Sequence, residues 1–124
     1  MSKELVKPLN EVDKPWGKYV DYFRSDEVVF KKLVVLPDQR LSYQYHSQRD
    51  EFWYVTEGVG LLINDGLSRK LLPRDYILIE SYENHTIECI SDEPLVIYEM
   101  QVGSPSEDDI VRIEDKYGRK DETS

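Results

Sequence analysis

Two observations predict an all-β fold, either a sandwich or a barrel. Short runs rich in β-branched and aromatic residues alternate with turn signals every ~8 to 12 residues, and no segment sustains a helical period. A small double-stranded β-helix jelly roll fits this spacing, and its interior is wide enough for a ligand cavity, so inward-facing polar residues would mark a site. The predicted strands cover residues 19–23, 28–36, 43–46, 51–63, 67–72, 76–80, 86–90 and 95–102.

Turn residues set the boundaries of these strands. Pro37-Asp38 ends the second run, and Asn64-Asp65-Gly66 is a strong hairpin signal. Gly58 and Gly60 interrupt the fourth run, where a bend or a close backbone approach is expected. Residues 47–50 are poor strand formers and predict a turn or loop.

The chain of 124 residues is expected to form one domain. We expect an arm over residues 1–14, a β-barrel over 15–103 and a C-terminal segment over 104–124, with a short helix within 108–117 and a frayed tail. Trp16 is expected to pack in the core, with sugar stacking as the alternative. The single cysteine, Cys89, excludes an intramolecular disulfide and predicts a buried thiol.

The net charge of −9 opposes nucleic acid and anionic membranes as partners. No run approaches ~18 apolar residues, and the N-terminus lacks the apolar stretch of a signal peptide, so we expect a cytoplasmic location. Neither a Gly-rich phosphate loop nor a nucleotide-binding βαβ pattern occurs, so this stretch alone is not expected to transfer nucleotides.

The stretch RLSYQYHSQRDEFW places polar side chains at spacings that a metal ion can use. Gln44 and His46 share one face of a strand, and Glu51 can face back toward them from the next strand. His85, beside the run 86–90, offers a fourth ligand. This mixed N/O set suits a divalent first-row metal such as Zn, Mn, Ni, Co or Fe. The alternative is that each histidine is a hydrogen-bonded structural residue.

Several motifs extend this pattern along nearly the whole chain: KPWGKY, RLSYQYH, RDEFW, NHTIE and EDDIVRIEDKYGR. They resemble the cupin superfamily and, within it, type II phosphomannose isomerases, which usually form the C-terminal part of bifunctional mannose-6-phosphate isomerase/mannose-1-phosphate guanylyltransferases. In that family a glutamine stands at the position of Gln44. Ser47, Gln48 and Phe52 stand where the family usually has histidine, so a proton transfer by one of those histidines would be lost here.

The resemblance implies a metal-dependent isomerase that interconverts mannose 6-phosphate and fructose 6-phosphate. The family has an arginine at the position of Arg49, which can bind an anionic sugar phosphate or a developing enediolate. If Glu51 binds metal, Glu80, Glu99 or a metal-bound water remains as the base. Small members of the superfamily pair through edge strands, and an arm with apolar residues agrees with a homodimer.

Two other functions stay open at this point. One is a non-catalytic sugar-binding or regulatory protein, and the other is a sugar-nucleotide epimerase or ketoisomerase, a class that commonly uses a His and Tyr pair without metal. Further basic residues can serve a phosphate or simply be solvated surface charges: Lys18, Lys32 and Arg40.

Overall fold

The computed structural model describes residues 6–105 and 109–114, which form eleven β-strands. Among these residues no helix is long and apolar enough to cross a membrane. The strands are β1 (Asn10–Lys14), β2 (Gly17–Arg24), β3 (Val28–Val35), β4 (Tyr43–His46), β5 (Arg49–Glu57), β6 (Gly60–Asn64), β7 (Leu67–Leu71), β8 (Tyr76–Ile79), β9 (His85–Cys89), β10 (Leu95–Gly103) and β11 (Ile110–Glu114).

These strands form two antiparallel sheets, so the all-β prediction is confirmed. The six-stranded sheet has the order β1-β2-β3-β10-β5-β8, and the five-stranded sheet has the order β11-β4-β9-β6-β7. Neighbouring strands are often distant in sequence, as with β10 between β3 and β5. Such crossovers between sheets are typical of a jelly roll.

Alternation along the strands builds the core between the two sheets. In β5, Glu51, Trp53 and Val55 face inward, whereas Phe52 and Tyr54 face outward. Trp16 and Cys89 belong to the core, which confirms both packing predictions. The other buried apolar residues of the cluster are Leu33, Val35, Leu41, Trp53, Val55, Leu62, Leu71, Ile79, Ile87, Leu95 and Ile97.

The predicted turns at glycine are confirmed. Asn64 pairs with Leu67 across the β6–β7 hairpin, and Asp65 and Gly66 between them have φ of 48° and 82°. Two successive positive φ values define the primed turn that suits hairpins. Gly58 also has a positive φ, and a Cβ there would lie 2.5 Å from the Pro94 carbonyl oxygen, so the backbones approach closely at this point.

The turn predicted over residues 47–50 is shorter in the structure. Arg49 already belongs to β5, and it pairs with Gly103 of β10. The Asp109 carboxylate accepts hydrogen bonds from the backbone N–H groups of Ser47 and Gln48, at 3.0 and 2.8 Å, and so closes a tight turn. Arg49 and Glu51 therefore lie two residues apart on one strand and face the same side.

One prediction about the ends of the chain is wrong within the described residues. In place of a helix within 108–117, Ile110–Glu114 is strand β11, which pairs with β4. Its β-branched residues favour a strand, and the free edge of β4 supplies the partner. In the expected arm, Asn10–Lys14 is strand β1, paired with β2. Residues 1–5, 106–108 and 115–124, including the expected frayed tail, lie outside the description.

Candidate metal centre

Three strands bring the four expected ligands together. Gln44 and His46 lie on β4, Glu51 on β5 and His85 on β9, and all four are at least nine-tenths buried. Gln44 and His85 are register partners across the β4–β9 pair, and cross-strand partners share a face. The alternation that predicted one shared face for Gln44 and His46 therefore holds in the structure.

His46, Glu51 and His85 form a compact cluster. One nitrogen or oxygen atom from each lies within 4.8 Å of the other two. Glu51 Oε2 is 3.2 Å from His46 Nε2, and Glu51 Oε1 is 3.5 Å from His85 Nε2. Gln44 Oε1 accepts a hydrogen bond of 3.0 Å from the Ser42 hydroxyl, which orients the Gln44 amide. Two imidazoles, a carboxylate and an amide are a donor set for a divalent first-row metal.

The hydrogen bonding of His85 tests whether a metal fits. His85 Nδ1 lies 2.9 Å from the Glu83 carbonyl oxygen, so Nδ1 carries the proton that it donates. In the neutral ring, Nε2 then presents a lone pair toward the Glu51 carboxylate. His85 Nε2 and Glu51 Oε1 are buried and have no hydrogen-bond partner within the described residues. Two facing lone pairs need a cation between them, either a proton or a metal ion, so the residues fit a metal.

Electrostatics in the cluster favour a charged Glu51. Burial alone would raise the pKa of Glu51, but His46, His85 and Arg49 together hold it well below the usual value. Burial lowers the pKa of His46 to about 4, so this imidazole is neutral at pH 7. Burial also disfavours charge on His85, but the adjacent Glu51 carboxylate outweighs burial and raises the pKa of His85.

Arg49 lies against the cluster rather than in a solvated turn. Its Nε donates a hydrogen bond of 2.9 Å to Glu51 Oε2, and its Nη2 is 3.1 Å from His46 Nε2. The side chain is 8% exposed, so its charge is desolvated. A fixed guanidinium beside the ligands can stabilise negative charge that develops on a substrate oxygen.

The two carboxylates expected as bases have different positions. Glu80 is exposed, so the structure does not bring it to the cluster. Glu99 lines the cavity and accepts hydrogen bonds from Trp53 Nε1 at 2.7 Å and from Gln101 Nε2 at 2.8 Å. Burial, and next the negative charge of Glu51, raise the pKa of Glu99 to about 7.

A cavity between the sheets gives access to the cluster. It is open to solvent on one side, and its lining includes Gln44, His46, Glu51 and Arg49. The cavity is also lined by Lys31, Gln101 and Arg112, which were not predicted as site residues from the sequence. Alternation in VVFKKLVV places Lys31 on the face of Val29 and Leu33, and this signal could have identified it.

The three positions where the family usually has histidine lie away from this cavity. Phe52 points to the outer face of the six-stranded sheet and is 40% exposed. Ser47 and Gln48 form the turn held by Asp109. None of the three is among the residues that line the described cavity. Their replacement therefore leaves the cluster and its cavity intact.

Solved structures share this fold at low sequence identity. The capsular polysaccharide assembling protein CapF from Staphylococcus aureus has a TM-score of 0.73 at 17% identity, over 87% of this chain and 35% of that one. KdgF from Halomonas sp. has a TM-score of 0.67 at 16% identity, over 80% of this chain and 89% of that one. These similarities establish the double-stranded β-helix jelly roll, and they concern the fold alone.

Curated relatives share more of the sequence. The chain is 37% identical over 110 residues to the mannose-1-phosphate guanylyltransferase of Escherichia coli K12, covering 88% of this chain and 23% of the relative. It is 36% identical over 110 residues to the alginate biosynthesis protein AlgA of Pseudomonas aeruginosa, with the same coverage. The chain thus spans about a quarter of the length of these relatives.

A family profile matches almost the whole chain. The profile described as "Mannose-6-phosphate isomerase C-terminal" matches residues 2–115, which include β1 to β11 and every residue of the cluster. The chain belongs to the mannose-6-phosphate isomerase C-terminal family.

Proposed function

We propose that this chain is a metal-dependent isomerase that interconverts mannose 6-phosphate and fructose 6-phosphate. The observation that carries the proposal is the buried cluster of His46, Glu51 and His85, with Arg49 beside it, at a cavity between the two sheets. The family supports the sugar-phosphate substrate. The relatives named for alginate and xanthan biosynthesis support a role in supplying sugars for polysaccharides.

Gln44, His46, Glu51 and His85 would hold the metal. An aldose–ketose isomerase moves a proton between adjacent carbons through an enediol, and a bound divalent metal would polarise the substrate carbonyl. Arg49 contributes a desolvated positive charge at the same place, so it stabilises the enediolate oxygen in the transition state. Because its Nε bonds to Glu51, the guanidinium is oriented before substrate binds, and little reorganisation is required.

In this proposal Glu99 takes and returns the substrate proton. It is a carboxyl group inside the cavity, whereas Glu51 is engaged by Arg49 and both histidines. Trp53 and Gln101 each donate to a different Glu99 oxygen and fix its orientation. A base must lie within hydrogen-bond reach of the proton it abstracts, and Glu80 is exposed and outside this cavity.

A non-catalytic sugar-binding protein is the second candidate. The relatives are named for guanylyltransfer or polysaccharide biosynthesis, and these names do not include isomerisation. The chain also covers only about a quarter of their length. This candidate predicts the same cluster and cavity with sugar binding but no turnover. An epimerase or ketoisomerase acting on a sugar nucleotide without metal is a third candidate, and metal bound to the purified protein would count against it.

Turnover decides between the first two candidates. The purified chain is stripped of metal, reloaded with Zn, Mn, Ni, Co or Fe in turn, and incubated with mannose 6-phosphate. We expect fructose 6-phosphate to form with at least one metal and not with the stripped protein. Saturable sugar binding with no product under every metal would support the sugar-binding candidate instead.

A homodimer and a cytoplasmic location remain predictions from the sequence. A light-scattering mass of twice 14.7 kDa at micromolar concentration is the expected result for the homodimer, and a mass near 14.7 kDa would contradict it.

A further inference from the structure

Two buried cations, one from each sheet, line the cavity in addition to Arg49. We propose that Lys31 and Arg112 form an anion subsite for the phosphate group of a sugar phosphate. This inference rests on the proposed function, because it assigns the place where that substrate's phosphate binds. Lys31 lies on β3 of the six-stranded sheet and Arg112 on β11 of the five-stranded sheet, and both line the same cavity.

Lys31 is a buried ammonium group in a fixed position. It is 3% exposed, and its Nζ lies 3.7 Å from Asp21 Oδ1 and 4.2 Å from the centroid of the Tyr19 ring. Lys14 Nζ lies 5.7 Å from the same ring. Two ammonium groups therefore meet at one aromatic ring that lines the cavity. A desolvated ammonium attracts an anion more strongly than a surface lysine does, because water screens it less.

Arg112 enters from the opposite sheet beside the metal ligands. It pairs with Gln44 across β11 and β4, and Ile110 pairs with His46, so Arg112 and Gln44 share the inner face. The start of β11 is held in place by Asp109. Its carboxylate accepts a hydrogen bond of 2.6 Å from the Ser47 hydroxyl and hydrogen bonds from two backbone N–H groups. Arg112 is 6% exposed. A planar guanidinium can bind two phosphate oxygens at once.

The charges of the lining agree with an anionic ligand. Two carboxylates line the cavity, Glu51 and Glu99, against four cations, in a chain of net charge −9. Arg49 is one of the four, but two of its nitrogens face Glu51 and His46, which places it at the reacting end. The remaining three are Lys14, Lys31 and Arg112, of which Lys31 pairs in register with Glu99 and Arg112 with Gln44, beside the reacting groups.

Calorimetric binding tests the subsite without requiring turnover. Inorganic phosphate, mannose 6-phosphate and mannose are titrated separately into the metal-loaded wild type, Lys31→Met and Arg112→Met. Matched controls are Lys32→Met, on the opposite face of β3, and Arg69→Met, exposed on β7. Lys31→Met leaves the buried Asp21 carboxylate without its ion-pair partner and could unfold the protein. The double variant Lys31→Met with Asp21→Asn removes both charges, so it serves as the test if the single variant does not fold.

We expect Lys31→Met and Arg112→Met each to weaken phosphate and mannose 6-phosphate binding at least ~10-fold, with mannose binding and both controls unchanged. Arg112→Lys should recover part of the affinity, since it restores charge but not the two parallel hydrogen bonds. Wild-type affinity for phosphate in both Lys31 and Arg112 variants overturns the subsite, even if the wild type is an active isomerase. Conversely, phosphate binding that depends on these residues supports the subsite even if the wild type shows no turnover.

Discussion

Replacing Glu51 by Gln is the sharpest test of the buried cluster in the metal-free protein. The carboxylate is 2% exposed and lies 2.9 Å from Arg49, 3.2 Å from His46 and 3.5 Å from His85. At an effective dielectric constant of ~20, the Arg49 pair alone has a gross attraction of about 6 kcal/mol, most of which offsets the cost of desolvating both charges. The variant leaves Arg49 buried beside a neutral amide.

Removing one partner of a buried ion pair costs ~3 to 5 kcal/mol, so we expect Glu51→Gln to lower the free energy of unfolding by about 3 kcal/mol. Urea denaturation at pH 7.5 in a chelator measures this value. Glu80→Gln, the same chemical change at an exposed position, is the control and should alter stability by less than ~0.5 kcal/mol. A loss below about 1 kcal/mol in Glu51→Gln would show that Arg49 does not depend on the carboxylate.

Three further predictions concern the ligands, the arginine and the buried acid. His46→Ala and His85→Ala should each lose most bound metal, since each removes one of four protein ligands, and full occupancy by elemental analysis in both would contradict the site. Arg49→Lys should keep the fold and the metal but lower kcat/KM for mannose 6-phosphate at least ~10-fold, or about 1.4 kcal/mol, whereas the control Arg69→Lys should leave it unchanged. A kcat/KM of Arg49→Lys equal to that of the wild type would exclude a role for Arg49. The folded pKa of Glu99 is raised to about 7, so its contribution to stability is present below the unfolded pKa near 4.5 and is lost as pH rises through 7. Metal-free wild type should therefore lose about 3 kcal/mol relative to Glu99→Gln between pH 4.5 and 7.5, and parallel stability curves for the two proteins would contradict this.

The clustering of Gln44, His46 and Glu51 could be predicted from the sequence because strand alternation is local. Gln44 and His46 share a face for any straight strand, and Glu51 follows after a turn short enough to return the chain. The hairpin at Asp65 and Gly66 is equally local, since its turn type depends on those two residues.

The errors arose where tertiary contacts decide the structure. Ile110 and Ile113 are three residues apart, which is a helical spacing, but pairing with β4 gives these residues a strand conformation. Arg49 has turn propensity, but hydrogen bonding to β10 places it in β5 and directs it at Glu51. Arg112 could not be placed in the cavity from sequence, because its position depends on that same β11–β4 pairing.

Proton exchange into the substrate tests the central claim, isomerisation by this chain, most directly. Mannose 6-phosphate is incubated with the metal-loaded protein in D2O and followed by proton NMR, with the His85→Ala variant in parallel. An enediol pathway predicts fructose 6-phosphate and loss of the C2 proton signal of mannose 6-phosphate with the wild type, and neither with the variant. Unchanged mannose 6-phosphate in the presence of a fully metal-occupied wild type would contradict isomerisation by this chain.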